Sequence, residues 1–132
     1  MPVKAGVGVA CAAVACAVVA AGCAAEGERH DAADAATRFL QAAQDGDAET
    51  ACALLTPRTR EDLVTADGPC ARSLPADELG GSVTATDTWS DWAKVDTETD
   101  SLFLAKFDSG WLVSAAGCLP EANAPYHCLV GG

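Results

Sequence analysis

Between Lys4 and Glu26 the chain carries 21 consecutive uncharged residues, and this run limits how much of the sequence is left to fold. A basic start at Lys4, an apolar centre that includes Val14, Val18 and Val19, and small residues at Ala20-Ala21-Gly22 are the three parts of an export signal. Residues 1–22 are therefore expected to be a signal peptide. A run of this length also suffices to cross a bilayer as an uncleaved helix, with Lys4 held on the inner side. Either route puts the rest of the chain outside the cytoplasm. Of 132 residues, about 100 remain beyond the leader, room for one small domain with a single core.

The leader ends in Ala21-Gly22-Cys23, just before the first acidic group. This stretch resembles the lipobox of bacterial lipoproteins, where small residues before a cysteine allow diacylglycerol transfer to the thiol and cleavage in front of it. Ala20 stands where that family usually has Leu, Val or Ile. The resemblance implies lipidation at Cys23, a short polar tether over residues 23–30 and a place on the outer face of the cell membrane. A cleaved secreted form and an uncleaved anchored form are the alternatives. Cys11 and Cys16, inside the apolar run and without the Ala-Gly context, read as inert small hydrophobes.

The formal charge is -11, with 19 acidic residues against 8 Lys and Arg. An acidic surface repels phosphate backbones, because nucleic-acid affinity rests on basic side chains displacing counterions, so nucleic acid is excluded as a partner. Solubility of an exported domain accounts for the charge without a cation-binding role. The sequence holds 29 Ala and only 3 Lys, a balance that resembles proteins of high-GC, actinobacterial genomes.

After the tether the periodicity is helical. Ala32, Ala35, Ala36, Phe39, Leu40 and Ala43 share one face, and Asp31 and Asp34 suit a first turn. Asp45-Gly46-Asp47 breaks this helix, and Asp47 can cap a second with Ala48, Ala51, Cys52 and Leu55 inward. Thr56-Pro57 starts a third, to about Thr65, with Pro at the first helical position. Gly68-Pro69-Cys70 ends it, and residues 74–79 have room for one more turn. Beyond Gly80-Gly81 the period changes to two. Val83, Ala85 and Asp87 alternate with threonines; Ala93, Val95 and Thr97 alternate with polar residues; residues 101–107 are apolar on both faces. Asp108-Ser109-Gly110 is a hairpin connection and residues 111–116 return as its partner. These segments predict an α+β domain over residues 31–132, with helices packed on an antiparallel sheet of about four strands. The tail from Gly117 reads as a segment that frays unless crosslinked.

Setting aside the two leader cysteines and Cys23, four remain in an oxidising compartment: Cys52, Cys70, Cys118 and Cys128. Four cysteines allow three pairings, and order along the chain favours Cys52 with Cys70 and Cys118 with Cys128. Zinc at Cys118, His127 and Cys128 is disfavoured, since there is no Cys-x-x-Cys pair and exported thiols oxidise first. No nucleophile elbow, His-Glu-x-x-His or phosphate-binding glycine loop is present, so no catalytic residue, metal or cofactor is assigned. Trp89, Trp92, Trp111, Phe103 and Phe107 could line a pocket, with Phe103, Phe107 and Trp111 the leading candidates, against the plainer reading as core.

Three helices, an Asp-Gly-Asp break and antiparallel strands ending in Phe107-Asp108-Ser109-Gly110-Trp111-Leu112-Val113 together resemble the NTF2-like, cystatin-like cone over residues 31–117. The cysteine contexts, Cys52-Ala53-Leu54-Leu55-Thr56-Pro57 and Pro125-Tyr126-His127-Cys128 among them, are similar to those of small actinobacterial lipoproteins. The resemblance implies a curved sheet with a cone-shaped cavity between sheet and helices. That superfamily holds isomerases, dehydratases, binding modules and assembly domains, so the fold carries no single activity. The expectation is a non-enzymatic domain, tethered to the membrane, that binds an unknown protein or small molecule. The alternative is a small enzyme or ligand carrier that uses an apolar cavity. A cysteine-redox protein is a third reading, and it requires an accessible low-pKa thiol.

Overall fold

The computed structural model describes residues 2–123 and 125–132, with side chains from Cys23 onward. The leader assigned to residues 1–22, with Cys11 and Cys16, rests on side chains outside the described residues. Among the described residues no helix is long and apolar enough to cross a membrane.

Helix α1 runs over Pro2–Gln44. The segment expected to be a patternless tether is thus helical, and Asp31 and Asp34 lie within the helix instead of capping it. Ala24, Ala25, Glu26, Glu28 and Arg29 are good helix formers, which outweighs the single Gly27. Asp34 pairs with Arg38 one turn on, at 3.5 Å. The inward face is the expected one: Ala32, Ala35, Ala36, Phe39, Leu40 and Ala43 are all buried, joined by Ala42.

Helix α2 (Ala48–Ala53) is capped by Asp47, whose carboxylate accepts from the Thr50 amide at 3.2 Å and from the Thr50 hydroxyl at 2.6 Å. Those two bonds hold the Asp47 carboxyl below its ordinary value. Helix α3 (Pro57–Asp62) is capped by Thr56, with Pro57 in the first turn, and ends earlier than its sequence suggested. A fourth short helix, α4 (Cys70–Ser73), follows where the sequence indicated only a break, and a 3-10 turn covers Ala76–Glu78.

Five strands form one antiparallel meander in the order β1 (Val83–Trp89), β2 (Trp92–Thr97), β3 (Ser101–Phe107), β4 (Gly110–Leu119) and β5 (His127–Gly131). The sheet therefore has one strand more than expected. The tail does not merely hang from a crosslink: β4 extends to Leu119, and β5 pairs with it at Ala115↔Gly131, Ala116↔Val130 and Cys118↔Cys128. Strand β1 also departs from simple alternation. A bulge between Val83 and Ala85 shifts its register against β2, so the half-buried side chains are Val83, Thr86 and Thr88, and Ala85 is exposed.

One face of the sheet packs against α1. Ala93, Val95, Leu102, Leu104, Val113 and Val130 meet Phe39, Leu40 and Leu55 there, and nearly all are fully buried. The space between helix and sheet is thus filled with side chains where the sequence resemblance implied a cone-shaped cavity. Two disulfides close the domain. Cys52–Cys70 ties α2 to α4 across 18 residues, and Cys118–Cys128 ties β4 to β5 across 10. Each is expected to contribute about 3 kcal/mol by restricting the unfolded chain. Such bridges fit an oxidising, extracytoplasmic environment.

Candidate functional site

Because β3 alternates, burying Leu102 and Leu104 against α1 turns Phe103, Ala105 and Phe107 to the opposite face. Helix α1 packs on the other face and leaves this one to α3 at its side. An open trough of about 1190 Å³ lies on it. Phe103, Ala105, Phe107 and Trp92 form its floor, together with Ser114 and Ala115 of β4.

The first wall is α3, with Pro57, Arg58, Asp62 and the following Leu63 turned to the trough. Backbone pairing fixes its position. The linker before α3 forms a parallel bridge to β4, with the Thr56 amide donating to the Val113 carbonyl at 2.8 Å and the Val113 amide donating to the Leu54 carbonyl at 2.9 Å. The linker takes the edge of β4 beyond the point where the pairing with β5 stops. Within α3, the Thr56 hydroxyl donates to the Thr59 hydroxyl, which donates to the Ser114 carbonyl. Both threonines are buried, so this relay satisfies polar groups that water does not reach.

The second wall is the C-terminal segment. Pro125 and Tyr126 fold over the floor, and the Tyr126 ring meets Phe103 edge-to-face with centroids 5.0 Å apart. The ammonium group of Lys94 lies 5.7 Å from the centre of the Tyr126 ring. The Tyr126 hydroxyl and then the Asp96 carboxylate, 3.4 Å from that ammonium, hold Lys94 above its ordinary pKa against the opposing effect of partial burial. Cys128, Gly131 and Gly132 complete this wall, which the Cys118–Cys128 bridge holds against the sheet.

Of the three aromatic residues singled out in the sequence, Phe103 and Phe107 line the trough. Trp111 lies on the other face, 6% exposed, and closes the core at the hairpin end. The physical reason is the register: Trp111 pairs with Lys106, which alternates with the floor residues Ala105 and Phe107. Trp92, one of the wider set of aromatic candidates, joins Phe103 and Phe107 in the lining, whereas Tyr126, Pro57 and Leu63 were missed as site residues. For Tyr126 the usable signal was an aromatic side chain in a polar tail. The four paired cysteines lie away from one another as two bridges, and Cys23 is exposed on α1 with a free thiol. Among the described residues no three His, Cys, Asp or Glu side chains are grouped to hold a metal. Arg58 and Asp62 are the charged side chains of the trough lining, both exposed on α3.

Comparison with protein-family models, with curated proteins and with solved structures finds no match to this chain.

Proposed function

We propose that the chain is a lipid-anchored domain on the outer face of the cell membrane, tethered through Cys23, and that it works by binding an apolar ligand in the trough. The observation that carries this reading is the trough itself: a mostly apolar floor of Phe103, Ala105, Phe107 and Trp92 on a sheet face that α1 leaves uncovered. An apolar concavity with a few polar groups at its edge is the usual build of a ligand site. Arg58 and Asp62, its charged side chains, are exposed to water on α3, whereas catalytic groups are favoured by a site that excludes water. This supports a non-enzymatic binder over an enzyme. The volume equally supports the carrier form of the same reading, in which the ligand is held and later released. Helices followed by an antiparallel meander support placement beside NTF2-like domains, with the open volume on the outer sheet face.

The test is titration of the folded protein with Nile red, a neutral dye whose emission shifts to the blue in apolar surroundings. Saturable binding with a blue shift, strongly reduced in Phe103→Ser, is the expected result. Absence of a shift with the folded wild-type protein, or an undiminished shift in the variant, would overturn the assignment of the trough.

A further inference from the structure

The end of the domain that faces the tether carries exposed aromatic side chains. Strand β1 spans seven residues, about 23 Å of sheet, and the stretch of α1 from Glu28 to Gln44 is about 24 Å long. The two run in opposite directions. At one end Gln44 packs beside Gly80, just before β1 begins. At the other, Glu28 forms an ion pair with Lys106, and the Lys106 amide donates to the Asp91 carbonyl in the β1–β2 hairpin. Glu28 therefore sits at the same end of the sheet as the two hairpin tips, residues 89–92 and 107–110.

Cys23 lies five residues before Glu28 on the same helix, about 7.5 Å further out at 1.5 Å per residue. The hairpin tips next to that exit hold Trp89 and Trp92, each 50% exposed, and Phe107, 41% exposed. Trp89 and Trp92 are cross-strand partners and so share one sheet face. Three large aromatics left in water at one end of an acidic domain are costly unless something covers them. Tryptophan in particular favours the headgroup layer of a bilayer, where its ring and N–H are both accommodated. Exposed Leu119 lies at the opposite end of β4 and does not join this group.

We infer that the tips bearing Trp89, Trp92 and Phe107 rest in the interfacial layer of the bilayer that holds Cys23, so that the domain has a fixed orientation on the membrane. The inference depends on the anchoring at Cys23 proposed above. Trp92 and Phe107 also line the trough, so this orientation turns one end of the trough toward the lipid. Asp91 and Asp108 in the two turns disfavour anionic headgroups, which makes a neutral lipid surface the fitting one.

The experiment uses the protein recovered from the membranes of expressing cells and reconstituted into phosphatidylcholine vesicles, with and without bromine on the acyl chains. Flotation with the vesicles reports the tether, and quenching of tryptophan emission by the bromines reports the tips. The expected result is flotation together with quenching in the wild type, and loss of that quenching in the Trp89→Ser, Trp92→Ser double variant, which keeps only the core Trp111. Flotation without quenching, or quenching unchanged in the double variant, overturns the contact of the tips and leaves the anchor standing. Failure to float removes the anchor and the orientation with it.

Discussion

The hydroxyl of Thr59 donates to the carbonyl of Ser114 at 2.8 Å, joining two residues 55 positions apart. Ser114 is the extra residue of a bulge: Phe103 pairs with Ala115 and Leu104 with Val113, so β4 has one residue more than β3 at that point. The bond pins α3 to the sheet and so sets the width of the trough. Thr59→Val keeps the shape but removes the donor, leaving the Ser114 carbonyl and the Thr56 hydroxyl short of a partner. The expected cost is about 1–3 kcal/mol. Urea unfolding at neutral pH measures it, and Nile red affinity is expected to fall as the α3 wall loosens.

The Ser114 carbonyl also determines what is tolerated at residue 131. Gly131 has φ +69°, and a Cβ built there would lie 2.0 Å from that carbonyl oxygen. No side-chain rotation relieves a clash with backbone, so β5 would have to move away from β4. Gly131→Ala is expected to lose at least about 1–3 kcal/mol from the backbone conformation alone. The unpairing should also be local, seen as faster amide exchange in residues 127–131 than in β1 and β2.

The parts legible in the sequence are those governed by neighbours along the chain. The apolar face of α1 follows from the spacing of Ala32, Ala36, Phe39 and Ala43, and the caps at Asp47 and Thr56 follow from side chains placed three residues before the amides they meet. The two disulfides were favoured because each joins cysteines flanking one break. Strand β5 was not legible. It is five residues long, follows Pro120 and Pro125, and is a strand because β4 offers it an edge. The bulge at residues 83–85 is likewise invisible in a Val-Thr-Ala-Thr alternation, since it is set by where Thr97 and Asp96 lie on the next strand. The trough needs Pro57 and Leu63, Phe103, and Tyr126 from three distant stretches, so sequence offered Phe103, Phe107 and Trp111 alike as candidates without showing that Trp111 faces the core.

Removing one bridge should separate stability from binding. The Cys52–Cys70 bond holds helices on the core side, whereas Cys118–Cys128 holds the wall that carries Pro125 and Tyr126. Cys52→Ser, Cys70→Ser is expected to cost about 3 kcal/mol and to leave dye affinity intact under conditions where the protein stays folded. Cys118→Ser, Cys128→Ser is expected to lose a similar amount and to weaken dye binding as well, because Tyr126 is no longer held over Phe103. Thermal melts and dye titrations on the two pairs of variants distinguish these outcomes.

The pairing of Lys106 with Glu28 predicts a stability loss at alkaline pH. The hydrogen bond to Glu28 raises the Lys106 pKa above its ordinary 10.5, helped by the charges of Glu28, Asp91 and Asp31 and opposed by desolvation. A lysine whose folded pKa is raised binds its proton more tightly in the folded state. Its contribution is therefore complete below pH 10.5 and is lost as the pH climbs through the raised folded value. The same ammonium stands 5.9 Å from the centre of the Trp111 ring, so its neutralisation also removes a cation from the face of a core aromatic. Lys106→Met should be less stable than the wild type at neutral pH, and the gap should close above the raised lysine pKa. Exposure screens the pair, so the effect is expected to be small and to shrink with salt. Urea unfolding of both proteins across that range, at low and high salt, measures it. A gap that stays constant with pH would mean that Lys106 acts through its methylene stem against Trp111, with no contribution from its charge.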